Sequence, residues 1–284
     1  ICRIIMLTLI KIEIYKIFKK WRTYISFAAI GVLIPIIHIA MMIEGEHSLD
    51  YMTRNLKQSF IFIGNLLNGY LISYLILNSL VVHIPFLITL VAGDLLAGEA
   101  TAGTYRILIS RPVSRFKITC SKFFAGIFYT NLLVLFLAVM SLGLGILIFG
   151  TGELIVLKSS GIIIFERGDV FWRFLVAYAF ASLSMSVVAG LAFLFSSLVE
   201  NAIGPIVATM AIIIIFIIIS AINVQFFQSI KPYLFTTYMN SWRLLFDNPL
   251  NLKEILESAL ILLSHAAVFF TATVYIFSKK DILS

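Results

Sequence analysis

Charge is what this chain has least of. Only 12% of its 284 residues are Asp, Glu, Lys or Arg, against about 25% in soluble domains, which excludes an ordinary soluble fold. Cysteine is nearly absent. Cys2 and Cys120 are isolated, and neither a disulfide nor a metal cluster is expected from them. There is no H-E-x-x-H, no G-x-S-x-G and no G-x-x-x-x-G-K-[ST], so the zinc-protease, nucleophile-elbow and P-loop chemistries those motifs carry are not read here. No paired carboxylates fall inside an apolar run, as a proton pump or ion-coupled carrier needs. The polar inventory within or beside those runs is thin: His38, Asn78, His83, Asn131, Asn201, Asn223 and His265. No catalytic residue, bound cofactor or metal is assigned, and the chain is not read as an enzyme.

What is present is apolar sequence in long blocks. Charge-free windows cover residues 23–43, 58–93, 123–152, 174–199, 201–230 and 258–278. Each reaches the roughly 20 residues that a membrane-crossing helix needs. In hydrocarbon the backbone must satisfy itself, and continuous runs of this length do so as helices rather than as alternating barrel strands. The expected fold is therefore an all-α polytopic membrane protein with six transmembrane helices. It forms one domain over residues 1–284, with no separate soluble module and no cleavable signal.

The net charge of +7 reads as topology rather than as nucleic-acid binding. Thirteen of the 21 Lys and Arg residues lie before the first span, in residues 93–122, or after the last span. The other eight are mixed with carboxylates such as Glu44, Glu46, Asp50, Glu153, Glu166 and Asp247. The positive-inside bias then predicts cytoplasmic termini, in a plasma membrane, with a prokaryotic inner membrane expected.

Along the chain, residues 4–22 read as an amphipathic helix. Leu7, Ile10, Ile14, Ile17, Phe18 and Trp21 share one face, with Lys16, Lys19, Lys20 and Arg22 around the rest. Lys16, Lys19, Lys20 and Trp21 are the expected interfacial anchors to lipid. His38 and Pro35 fall in the first span, His83 and Pro85 in the second, which is read as residues 71–92. Residues 59–70 are expected to continue that helix above the membrane or to lie in its interface. Residues 162–165, within the loop 150–172, read as a strand or an interfacial dip. The fourth span is rich in small residues, among them Ala177, Ala181, Ser184, Ala189 and Gly190, so it is expected at the centre of the bundle. The loop 223–256 carries Phe226, Phe227, Tyr233, Phe235, Tyr238, Trp242 and Phe246. It is expected to form short helices that tuck back toward the membrane as re-entrant pieces.

The largest polar island is residues 93–122. It carries Asp94, Glu99, Arg106, Arg111, Arg115, Lys117 and Lys122. Small neighbours (Ala97, Gly98, Ala100, Ala102) are expected to leave the Glu99 carboxylate exposed to a docking groove. Gly103 and Pro112 punctuate the segment. Arg106, Arg111 and Arg115 are candidates to meet partner carboxylates or lipid phosphates. The order Gly93-Asp94, Ala97-Gly98-Glu99, Gly103-Thr104-Tyr105-Arg106, Ser110-Arg111-Pro112-Val113-Ser114-Arg115 and Lys122 resembles the cytoplasmic connector of ABC-2 type transporter permeases. The surrounding layout resembles that family over essentially the whole chain.

The resemblance implies a half-transporter, most simply an exporter. It would pair with a second permease copy or a paralogue, and two ABC ATPase subunits would dock beneath. ATP and Mg would sit on those partners. The connector would be a coupling helix between spans two and three. Asp94, Glu99, Gly103, Thr104, Tyr105, Arg106, Arg111, Pro112 and Arg115 would be its ATPase-coupling residues, with Glu200 a second contact. The second and fifth spans would line the passage. A self-contained channel or carrier, and a membrane anchor for a cytoplasmic complex, stay open as alternatives, and the substrate is not legible.

Overall fold

The computed structural model describes residues 2–54, 66–79, 83–104, 113–158 and 161–280. The chain is mostly helical. Helix α1 (Cys2–Lys19) ends before Lys20, whose extended backbone (φ −86°, ψ 133°) separates it from α2 (Trp21–Thr53). The expected helix over 4–22 is thus shorter at its C-terminal end, and Trp21 opens the next helix instead. With 33 residues, α2 is about 50 Å long at 1.5 Å per residue. That exceeds a hydrocarbon core of about 30 Å, so the helix continues beyond the apolar layer.

The second apolar window is not one straight helix. It holds α3 (Gly69–Ser79) and α4 (His83–Ala92), which meet at 59°. Pro85 lies in the first turn of α4, where its missing N–H and fixed φ suit a helix start and not a helix interior. Most of the expected 59–70 extension lies outside the described residues. Helix α5 (Asp94–Thr101) follows α4 almost directly. Next, α6 (Arg115–Ala138) passes through a π-helical turn at Val139–Gly143 into α7 (Leu144–Phe149). Two glycines decide how α7 meets α3. A Cβ on Gly69 would lie 2.4 Å from the carbonyl carbon of Gly145, so the two backbones touch directly.

The all-α expectation needs one correction. Strands β1 (Leu154–Lys158) and β2 (Gly161–Phe165) pair antiparallel, with Leu154 opposite Phe165 and Val156 opposite Ile163. Their β-branched runs are too short for a span. Pairing satisfies their backbone groups, while Leu154, Val156 and Phe165 are buried.

Helix α8 (Arg167–Leu198) is the central element, packing on α4, α5, α6, α9 (Ile203–Ala221) and α12 (Leu252–Lys279). Two-thirds of its apolar window is buried, against a third or less for the other long helices. Its small residues allow that crowding, as expected. Between α9 and α12 lie α10 (Gln225–Ile230), α11 (Phe235–Met239) and two 3-10 turns, Lys231–Tyr233 and Ser241–Phe246. Trp242 and Phe246 are buried, in edge-to-face contact with Tyr74 and with each other. Arg173 donates to the carbonyl of Leu245 at 2.5 Å, tying that segment to α8. Among the described residues, five helices are long and apolar enough to cross a membrane, six if α3 and α4 form one bent span.

One end of the bundle gathers α1, α5, the α8–α9 turn and the end of α12. Contacts between these segments build the site.

Candidate functional site

Helix α5 is held from above. The hydroxyl of Ser196, fully buried on α8, accepts from the backbone N–H of Leu96 (3.0 Å) and Ala97 (2.8 Å) and donates to the Gly93 carbonyl (2.6 Å). The first turn of a helix leaves N–H groups without intrahelical partners, and here a neighbouring helix supplies the cap. A Cβ on Gly93 would lie 2.8 Å from the Thr89 carbonyl oxygen and press on Pro205 and Ile206. Glycine is what lets α5 start so close to α9.

Two acidic residues then tie α5 sideways. Asp94 accepts from Lys20 Nζ (2.7 Å) and Arg22 Nη1 (2.9 Å). Glu99 Oε1 accepts from Lys16 Nζ (3.0 Å) and Lys122 Nζ (2.9 Å). Glu13 closes the figure, with Oε1 2.9 Å from Lys16 and Oε2 2.8 Å from Lys122. Glu13, Lys16, Glu99 and Lys122 form a closed ring of alternating charge with no net charge, drawn from α1, α5 and α6. Lys122 is 2% exposed and Glu13 8%, so each charge depends on its partners. Thr104 completes the site, bonding the Glu99 carboxylate and its backbone carbonyl.

The electrostatics follow from this enclosure. Burial pushes the Glu99 carboxyl up. The Lys122 ammonium and the hydrogen bonds from Thr104, Lys122 and Lys16 push it further down, and they win: its pKa falls from 4.5 to about 2. Burial works against the charge on Lys16 as well, and the carboxylates of Glu13 and Glu99 outweigh it, holding that ammonium above its ordinary 10.5.

The structure therefore corrects the expected exposure of Glu99. Its carboxylate is 14% exposed and turned toward α1 and α6. The small neighbours do not open a groove around it. They let α5 pack closely, with Ala97 fully buried. Gly98 is required for another reason, because a Cβ there would lie 2.5 Å from Asp94 Oδ1.

Lys16 and Lys20 are drawn to the α5 carboxylates rather than to headgroups. Lys19 is exposed, 5.9 Å above the Tyr15 ring, and Trp21 is 80% exposed. Arg115 also turns inward, donating to the carbonyls of Phe277 (3.3 Å), Ser278 (3.1 Å) and Lys280 (2.7 Å) at the end of α12. It thus caps a helix C-terminus, where a cation is favoured. Lys280 Nζ in turn reaches the Ser197 carbonyl at 3.2 Å. Tyr105, Arg106, Arg111 and Pro112 lie outside the described residues.

What faces outward is the tip of α5. Thr101, Ala102 and Gly103 are exposed, and Gly103 takes a left-handed φ of 65° that ends the helix. Thr101 Oγ1 donates to the Glu200 carbonyl at 3.0 Å, which sets the exposed Glu200 beside that tip.

Sequence reasoning missed Glu13 and Ser196. Glu13 did carry a signal, a carboxylate at i+3 from Ile10 and i−4 from Ile17, on the apolar stripe of its helix. Ser196 carried none that distinguishes it from other small residues of α8.

A mostly helical, span-rich protein whose connector helix is ionically fixed to its N-terminal helix belongs to the integral membrane class. The sequence profile of the ABC-2 family transporter proteins matches residues 7–282, and the chain belongs to that family. It is also similar to the uncharacterized protein YhcI of Bacillus subtilis (strain 168), with 31% identity over 117 residues. That stretch is 39% of this chain and spans little more than a third, 37%, of that relative.

Proposed function

We propose that the chain is the permease subunit of an ABC transporter and that it exports a substrate with ATP hydrolysed on a separate subunit. Two ATPase subunits, holding ATP and Mg, would dock on the end of the bundle that carries α1, α5 and the end of α12. That end would face the cytoplasm. A second permease copy or a paralogue would complete the passage. The observation that carries this reading is the fixation of α5. Its tip is exposed, while its body is bonded to α8 through Ser196, to α1 through Glu99, to Lys20 and the start of α2 through Asp94, and to α6 through Lys122. A push on the tip is thereby delivered to four helices at once, including the central one. Family membership supports the same role.

The test is co-purification in mild detergent with the cassette ATPase encoded nearest to this chain, compared with Ala102→Arg. Ala102 is exposed, and an arginine there leaves the ionic ring intact. The expected result is a complex with the wild type that is lost in the variant. A wild-type chain that brings down no ATPase and stimulates none overturns the reading and favours a channel or an anchor.

A further inference from the structure

We infer that a groove between the α6–α7 unit and α8 binds one anionic glycerophospholipid of the leaflet on the hairpin side. The groove holds about 480 Å³ and is lined by apolar side chains such as Leu135, Ile146, Phe171 and Leu175. Its size falls within the range of ligand pockets, about 300–1,000 Å³. The π-helical turn and Gly143 form part of its wall. Nothing but Val139 comes within 4 Å of a Cβ placed on Gly143, so the wall is open there. π-turns recur at functional sites.

The groove has a polarity order. At its inner end Ser182 donates to Asn131 Oδ1, and the Asn131 amide donates to the Ile127 carbonyl at 2.7 Å. Apolar surface follows. Phe171 is the first lining residue of α8, and one turn before it, beyond the lining, stands Arg167, exposed and in no ion pair with a carboxylate among the described residues.

Length makes the assignment specific. Arg167 and Ser182 are 15 residues apart, about 22 Å along a helix. Half of a bilayer that is about 40–45 Å thick with its headgroups is about 20–22 Å. A phosphate at Arg167 and an acyl chain reaching Ser182 match a single leaflet. The charge of Arg167 selects an anionic headgroup, and lipid suits an apolar wall facing hydrocarbon.

The experiment is native mass spectrometry with headgroup analysis of the lipid retained by the full chain in mild detergent. Wild type is compared with Arg167→Gln and Ala179→Phe. Ala179 lines the groove and is exposed, so phenylalanine fills the space without entering the core. Wild type is expected to retain phospholipid enriched in anionic headgroups relative to the membrane extract. Arg167→Gln should lower that enrichment about fivefold, and Ala179→Phe should remove retained lipid of every headgroup. Equal lipid on wild type and Ala179→Phe overturns the site, and unchanged enrichment in Arg167→Gln overturns the headgroup assignment. Disulfide formation between two copies carrying Leu135→Cys, which puts a second chain over the groove, also overturns it.

Discussion

Lys122 Nζ lies 2.9 Å from Glu99 Oε1 and 2.8 Å from Glu13 Oε2, so one buried ammonium joins the connector helix to the N-terminal helix. Lys122→Met leaves two carboxylates facing only Lys16. Breaking a buried pair on one side costs about 3–5 kcal/mol, and a loss near that size is expected in thermal unfolding in detergent. Adding Glu13→Gln restores a neutral pair of Glu99 and Lys16, so the double variant should recover part of the loss. Strict additivity of the two substitutions would show that the ring does not act as a unit.

Acid should release the same contact. The folded-state pKa of Glu99 is depressed to about 2 from 4.5. Its contribution is therefore complete above about pH 4.5 and declines as pH falls toward 2, because the unfolded chain takes up the proton first. Stability of the wild type should fall across that window, and Glu99→Gln should flatten the dependence there. Parallel curves would remove Glu99 from the account.

Gly98→Ala sets helix propensity against packing. Alanine favours an isolated helix by about 1 kcal/mol, but its Cβ would meet the Asp94 carboxylate. Asp94 would have to leave Lys20 and Arg22. A net destabilisation of about 1–3 kcal/mol is expected, and Lys20→Met should then add little in the Gly98→Ala background. A stabilised Gly98→Ala protein would contradict the geometry.

Ser196→Ala removes the cap that α8 supplies to α5. The expected cost is about 1–2 kcal/mol. Hydrogen exchange should quicken at the amides of Leu96 and Ala97 and leave those of α12 unchanged. Unchanged exchange at those two amides would show that the cap contributes nothing.

Arg115→Gln should act at a distance in sequence. Its guanidinium holds three carbonyls at the end of α12, so faster exchange or proteolysis is expected at residues 277–280, with little change in global stability. Protection that persists there would assign the hold on α12 to Lys280 and Ser197 instead.

Reading the small neighbours of Glu99 as an opening around it misjudged the direction of its carboxylate, which turns toward α1 and α6. Asp94 and Glu99 stand out in the sequence because carboxylates are rare in this chain. Burial depends on what packs alongside, and the lysines that enclose Glu99 come from positions 83 residues before it and 23 residues after it. Glu13 shows the opposite case. Its place on an apolar stripe was readable, yet only the approach of Lys122 turns that apparent misfit into a bonded ring.

Composition alone determined that the chain is a helical membrane protein, since hydrocarbon leaves a continuous apolar run no other way to satisfy its backbone. It also determined that α8 is central, since small side chains permit close approach. Only the tertiary structure decided the capping of α12 by Arg115 and the inward turn of Glu99. Both depend on a contact between segments distant in sequence, and local pattern carries no record of which distant side chain arrives.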